Sequence, residues 1–140
     1  MESILTFLDA GVLIAAARGT NEVAKTAMSI LDDPKRKFVS SDFVRLEVLP
    51  KAIYHKHQEE KQFYLEFFKH ISKWVNASRK IVLLAEKEAC QTGLSALDAL
   101  HIATAKIAKA KQFVTAEKPT KPLFRVKNLE VISIQSLSTD

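Results

Sequence analysis

The chain is expected to adopt an α/β fold, a three-layer α/β/α sandwich on a parallel sheet of about five strands. Three observations carry that expectation. Short apolar, β-compatible runs recur along the 140 residues, and amphipathic helical patterns fill the gaps between them. Helices between consecutive strands force parallel pairing with right-handed crossovers, so both sheet faces are covered. The third observation is a placement. Asp9 is the only ionisable side chain in the opening stretch ILTFLDAGVLIAAA, and it falls where the first strand gives way to a helix. Ligands bind at that end of an open α/β sheet.

The elements follow in order. Ile4, Leu5, Phe7 and Leu8 mark a first strand, Ile4–Leu8, and a helix starts over Gly11–Ala17. Gly19-Thr20-Asn21 closes it and caps a second helix, which runs to Asp32-Asp33-Pro34. Residues 37–40 form the second strand. Ser40-Ser41-Asp42 caps a third helix through about His57, and a fourth is expected over residues 58–75. The apolar run Ile81-Val82-Leu83-Leu84 is expected to be the third strand. A short helix then ends at Gly93, and Ser95 caps a longer one through about Lys111. Residues 112–115 and 129–134 complete the sheet, and the Ser-Leu-Ser-Thr-Asp tail, 136–140, is expected to fray. Only three glycines and four prolines occur, so no flexible linker is visible and residues 1–140 are expected to form one domain.

Composition narrows the function classes. An apolar content of 47% excludes disorder, and no apolar run reaches the roughly 18 residues of a membrane span. The opening segment lacks a basic start and carries Asp9 at its centre, which argues against a signal peptide. We expect a soluble, cytoplasmic protein with no membrane partner. A lone cysteine, Cys90, fits a reducing compartment, and its EKEACQ setting predicts a helix-buried thiol. The net charge of +5 concentrates in residues 51–61, 69–80 and 106–127. That is a modest polyanion signal, which solvated lysine-rich helix faces also explain. His55-Lys56-His57 is expected to be a solvated helix junction. With three isolated glycines no phosphate-cradling Gly-rich loop exists. Phosphate transfer through a strand-end Asp nucleophile would need a second Asp at position 11, which is Gly.

Desolvating the carboxylate of Asp9 costs several kcal/mol unless it is paired, hydrogen-bonded or bound to a metal. Three further acids stand out. Asp98 lies in the first turn of LSALDALHIATA, a helix apolar on nearly every side and therefore buried; Ser95-x-x-Asp98 also matches a capping box. His101, one turn on, is expected to be a core or network residue. Glu47 sits among Phe43, Val44, Leu46, Val48 and Leu49, on what is equally a solvated face. Glu117 follows Thr115 just beyond a strand's carboxyl end, a position that a polar turn also explains. If the four acids converge, each pair about 4 Å apart repels by on the order of 4 kcal/mol at an effective dielectric near 20. A hard divalent cation, Mg²⁺ or Mn²⁺, offsets that repulsion; zinc calls for clustered His and Cys ligands.

FLDAGVLI, SSDFVRLEVLP, LSALDALHIATA and FVTAEK, in this order and spacing, resemble the motifs of the PIN-domain ribonucleases, which include the VapC-type toxins of bacterial toxin–antitoxin pairs. The likeness spans nearly the whole chain. It implies strand order 3-2-1-4-5 and an acidic pocket that binds Mg²⁺ or Mn²⁺ and cleaves RNA. By that resemblance Asp9, Glu47, Asp98 and Glu117 are the metal-binding acids, with Thr115 orienting the pocket. Asp9 and Asp98 would hold one ion, and Glu117 or Glu47 a looser second one. Three positions depart from the pattern: Ala10 and Gly11 replace polar side chains, and the last acid is Glu117 rather than Asp. An RNA- or protein-binding module with weakened catalysis is the alternative reading. Arg45, Lys51, Lys118 and Lys121 adjoin the acids in sequence and are candidates to hold the RNA backbone. The resemblance also implies a homodimer and an antitoxin that occupies the acidic pocket. The aromatic-rich segment Phe63, Tyr64, Leu65, Phe67, Phe68, Ile71 and Trp74 is a candidate interface.

Overall fold

The computed structural model describes residues 3–137. Its centre is β1 (Ile4–Leu8), in which Thr6, Phe7 and Leu8 are buried on successive positions, as a strand covered on both faces requires. Phe7 stacks on Phe113 of β4 (Gln112–Thr115) at 5.0 Å between ring centroids. On the other side β1 pairs with β2 (Arg36–Ser41). The sheet has five strands in the order 3-2-1-4-5, every neighbouring pair parallel, with β3 (Lys73–Val75) and β5 (Glu130–Ser133) at its edges. This is the expected architecture and strand order.

The helices begin where short polar side chains cap them. Asp9 caps α1 (Ala10–Arg18), Asn21 caps α2 (Glu22–Leu31) and Ser41 caps α3 (Asp42–Tyr54). Ser78 caps α5 (Arg79–Thr92) and Ser95 caps α6 (Ala96–Ile107), each accepting a main-chain N–H two or three residues on. α4 (Gln58–Lys69) has no side-chain cap. The fold closes with a 3₁₀ turn (Pro122–Arg125) and α7 (Ile134–Leu137). Gly93 ends α5 with φ of 76°, a left-handed conformation that glycine adopts without penalty. In α6, residues 101–105 are all buried, the result expected of a helix apolar all round.

Three expectations are corrected. Residues 81–84 are not a strand but the first turns of α5. Ile81 and Ala85 are buried while Val82 and Leu83 face solvent, a 3.6-residue spacing that a four-residue apolar run cannot reveal on its own. The third strand is instead Lys73–Val75, and the helix expected over 58–75 stops at Lys69. Cys90 is exposed rather than buried, because it lies on the outer face of α5.

Of the aromatic-rich segment, Tyr64 is buried, and Phe63, Phe67 and Phe68 pack half-buried against the core. The segment is therefore not the exposed apolar surface. His55 to His57 are exposed between α3 and α4, as expected of a helix junction. In the expected frayed tail, Ser136 and Leu137 belong to α7, and residues 138–140 lie outside the described residues. Among the described residues no helix is long and apolar enough to cross a membrane.

Candidate active site

β1 and β4 are adjacent and parallel, so Asp9, just after one, and Thr115 to Glu117, at the end of the other, emerge at the same sheet edge. α3 and α6 bring Glu47 and Asp98 to that edge. Asp9, Glu47, Asp98, His101 and Glu117 line one cavity of about 310 Å³. The four acids singled out in the sequence are thus brought together, with Thr115 fully buried beneath them.

Each acid is held differently. Asp9 Oδ1 accepts the main-chain N–H of Gly11 at 3.0 Å, and its Oδ2 accepts the Thr115 hydroxyl at 2.6 Å. Burial pushes its carboxyl up to about 6 from the ordinary 3.8; the Thr115 hydrogen bond and the charge of His101 oppose that rise, and Asp98 adds to it. Glu47 Oε1 accepts a hydrogen bond from His101 Nε2 at 2.7 Å. The ring of His101 is buried, tilts against Phe7 at 5.6 Å, and leaves Nδ1 without a partner. The main-chain N–H of Asp98 donates to Ser95 Oγ at 3.3 Å. Among the described residues its carboxylate accepts no hydrogen bond, so only half of the capping box forms and the acid is left to the cavity.

Thr115 couples two acids. Its hydroxyl donates to Asp9 and accepts the main-chain N–H of Glu117 at 3.0 Å. The turn that carries Glu117 is anchored from the edge of the sheet: Ser133 Oγ donates to the Glu117 carbonyl at 2.6 Å, and Gln135 Nε2 to the Ala116 carbonyl at 2.7 Å. Sequence reasoning missed Ser133 and Gln135. Their only signal is polarity at the end of an apolar strand, which a terminal turn shares.

Gly11 accounts for one departure from the motif pattern. A Cβ there would stand 3.0 Å from Ala116 Cβ and 3.3 Å from Asp9 Oδ1. Glycine lets α1 approach the β4 turn, and its main-chain N–H orients Asp9 where a polar side chain is missing. No Lys or Arg lines the cavity; Arg45 lies 5.6 Å from the centroid of Phe68, and Lys51, Lys118 and Lys121 point into solvent. Among the described residues no three His, Cys, Asp or Glu side chains form a ready-made metal cage.

The PIN domain family matches residues 6–119. The chain belongs to the PIN-domain family. Solved structures agree on the fold. A chain of a toxin–antitoxin complex from Klebsiella pneumoniae is similar with a TM-score of 0.70 at 20% identity, over 92% of this chain and 97% of that one. A chain of a VapBC complex from Rickettsia felis, bound to a DNA fragment from their promoter, gives 0.69 at 17% identity, over 92% and 98%. The sarcin–ricin loop cleaving VapC toxin of Mycobacterium tuberculosis gives 0.67 at 11% identity, over 86% and 94%. A comparison with curated proteins finds no match. In this PIN domain, then, the acidic cavity lies at the carboxyl edge of the family's parallel sheet.

Proposed function

We propose that this PIN-domain protein is a divalent-metal-dependent endoribonuclease, the toxin of a toxin–antitoxin pair acting in the cytoplasm. The observation that carries the reading is the convergence of Asp9, Glu47, Asp98 and Glu117 on one cavity at the strand ends. Four carboxylates, with Asp9 desolvated far enough to hold its proton to about pH 6, are an unfavourable arrangement for an empty pocket and a fitting one for a hard cation. The donor set is oxygen-rich, which suits Mg²⁺ or Mn²⁺. Mg²⁺ is usually held by one or two carboxylates and retains several waters, so it does not need a cage of three protein ligands.

Asp9 and Asp98 are the residues that would hold the ion, with Glu117 and Glu47 completing the negative wall. When bound, the ion lowers the pKa of a coordinated water and offsets charge on the scissile phosphate. Thr115 keeps Asp9 turned into the cavity, and His101 does the same for Glu47. The alternative of a non-cutting binding module draws on Ala10 and Gly11, yet Asp9 is oriented here by a main-chain N–H and Thr115.

The similar structures include toxin–antitoxin complexes and an RNA-loop cleaving toxin, which supports an antitoxin partner and an RNA substrate for this chain. We also infer a homodimer, formed through the apolar residues that α3 leaves exposed. The deciding test is incubation of the purified protein with structured RNAs. Cleavage is expected with Mg²⁺ or Mn²⁺ and is expected to vanish with EDTA or in Asp98→Asn. Undiminished cleavage in excess EDTA would remove the metal-dependent reading.

A further inference from the structure

The acidic cavity has a binding problem that its own lining does not solve. It presents carboxylates and no Lys or Arg, so without a bound cation it repels the phosphate backbone it is proposed to cut. Cations gather elsewhere. A second cavity, of about 530 Å³, opens between α5, α6 and the 3₁₀ turn, lined by Lys87, Lys106, Arg125 and Lys127 around one acid, Glu88. Glu88 is only 5% exposed and accepts Lys106 Nζ at 2.7 Å, so that pair neutralises itself. Three cations remain. Lys87 and Lys127 have no hydrogen bond or ion pair among the described residues, and Arg125 has only a 3.3 Å hydrogen bond to the Thr92 carbonyl. Like charges around a concave wall focus the field and concentrate anions more than the same charges on a convex surface.

We propose that this basic cavity binds the sugar–phosphate backbone of the RNA strand whose scissile bond enters the acidic cavity. The proposal rests on the ribonuclease reading and adds the site that holds the substrate. Two stretches of chain connect the cavities. α6 carries Asp98 in its first turn and Lys106 in its last, about 12 Å further along the axis at 1.5 Å per residue. The segment 117–127 leaves the acidic cavity at Glu117 and reaches Arg125 and Lys127, with Lys118 and Lys121 exposed between. Exposed cations on the segment that leaves the carboxylate cavity suit a chain of phosphates continuing into that cavity. An acidic protein segment would meet repulsion at the same end.

The test uses the full-length protein in EDTA, so that RNA is bound and not cut. Anisotropy of a fluorescein-labelled single-stranded RNA is titrated at several salt concentrations. The variant Lys87→Gln/Arg125→Gln/Lys127→Gln changes three exposed side chains, and an unchanged thermal midpoint confirms that it folds. Lys25→Gln/Lys35→Gln/Lys37→Gln removes the same net charge away from the cavity.

The cavity variant is expected to lose at least tenfold in affinity at low salt. Its log–log salt slope should become shallower by about 2, since each phosphate contact on a single strand contributes about 0.7. The control should lose far less. Equal losses in both variants, or none in the cavity variant, would overturn the site. So would an acidic peptide that binds the wild type and is lost in the cavity variant while RNA affinity stays. RNA cleavage by the wild type with intact RNA binding in the cavity variant would sink this proposal and leave the ribonuclease reading standing. No cleavage by the wild type with the expected slope change would do the reverse.

Discussion

Asp9 keeps two short hydrogen bonds and still has its carboxyl raised to about 6, so desolvation outweighs them. The sign of the stability effect follows. The folded state binds this proton more tightly than the unfolded chain does, so its contribution is fully present below about pH 4 and is lost as pH rises through about 6. In metal-free protein, Asp9→Asn should match wild-type stability near pH 4 and exceed it above pH 6, by about 3 kcal/mol at most. Chemical denaturation at the two pH values checks this, and a difference that does not grow with pH would count against it. Gly11→Ala places a Cβ 3.0 Å from Ala116 and should cost about 1–3 kcal/mol in urea unfolding, with loss of cleavage as Asp9 is displaced. Asp9 was legible in the sequence because it stands alone in an apolar run. The pairing of His101 with Glu47 was not, because the partners lie 54 residues apart and each has an ordinary structural role at its own helical position.

At the level of elements, what could be read was whatever local chemistry decides. Asn21, Ser41 and Ser95 were recognisable as caps, and Gly93 as a helix stop, because capping depends on one side chain or one dihedral angle. Ser95→Ala should therefore loosen the helix that presents Asp98, costing about 1 kcal/mol in thermal or urea unfolding. A neutral result would mean that tertiary packing alone holds α6. The third strand was not readable. β3 is a half-buried three-residue edge strand, Lys-Trp-Val, held in place by β2 rather than by a pattern of its own. The IVLL run nearby has the composition of a strand, but its register belongs to α5. Only the sheet, which leaves a place beside β2, distinguishes them.

At the scale of the whole molecule, the alternation of strands and helices was enough to predict a parallel, doubly covered sheet, since handedness and pairing leave few other solutions. The surface was harder to foresee. The aromatics of α4 looked in excess of what one helix face can bury, yet α1 and α3 both pack against α4 and the rings are taken inside. The largest group of exposed apolar residues lies instead on α3, with Leu97 of α6 and Leu137 of α7 exposed singly. Leu46, Pro50, Ile53 and Tyr54 follow helical spacing along one face, and Tyr54 is 81% exposed. Val82 and Leu83 of α5 add a second exposed pair. A continuous stripe of this kind on a protein with net charge +5 is the expected mark of an interface. Sedimentation at micromolar concentration should therefore give a dimer mass. Ile53→Ser/Tyr54→Ser should shift it to the monomer and change stability by no more than about 0.5 kcal/mol per site, because both side chains already face water. A wild type that sediments as a monomer at every concentration tested would withdraw the homodimer and leave the α3 stripe free for a different protein. An unchanged dimer in the variant would take the interface off the α3 stripe.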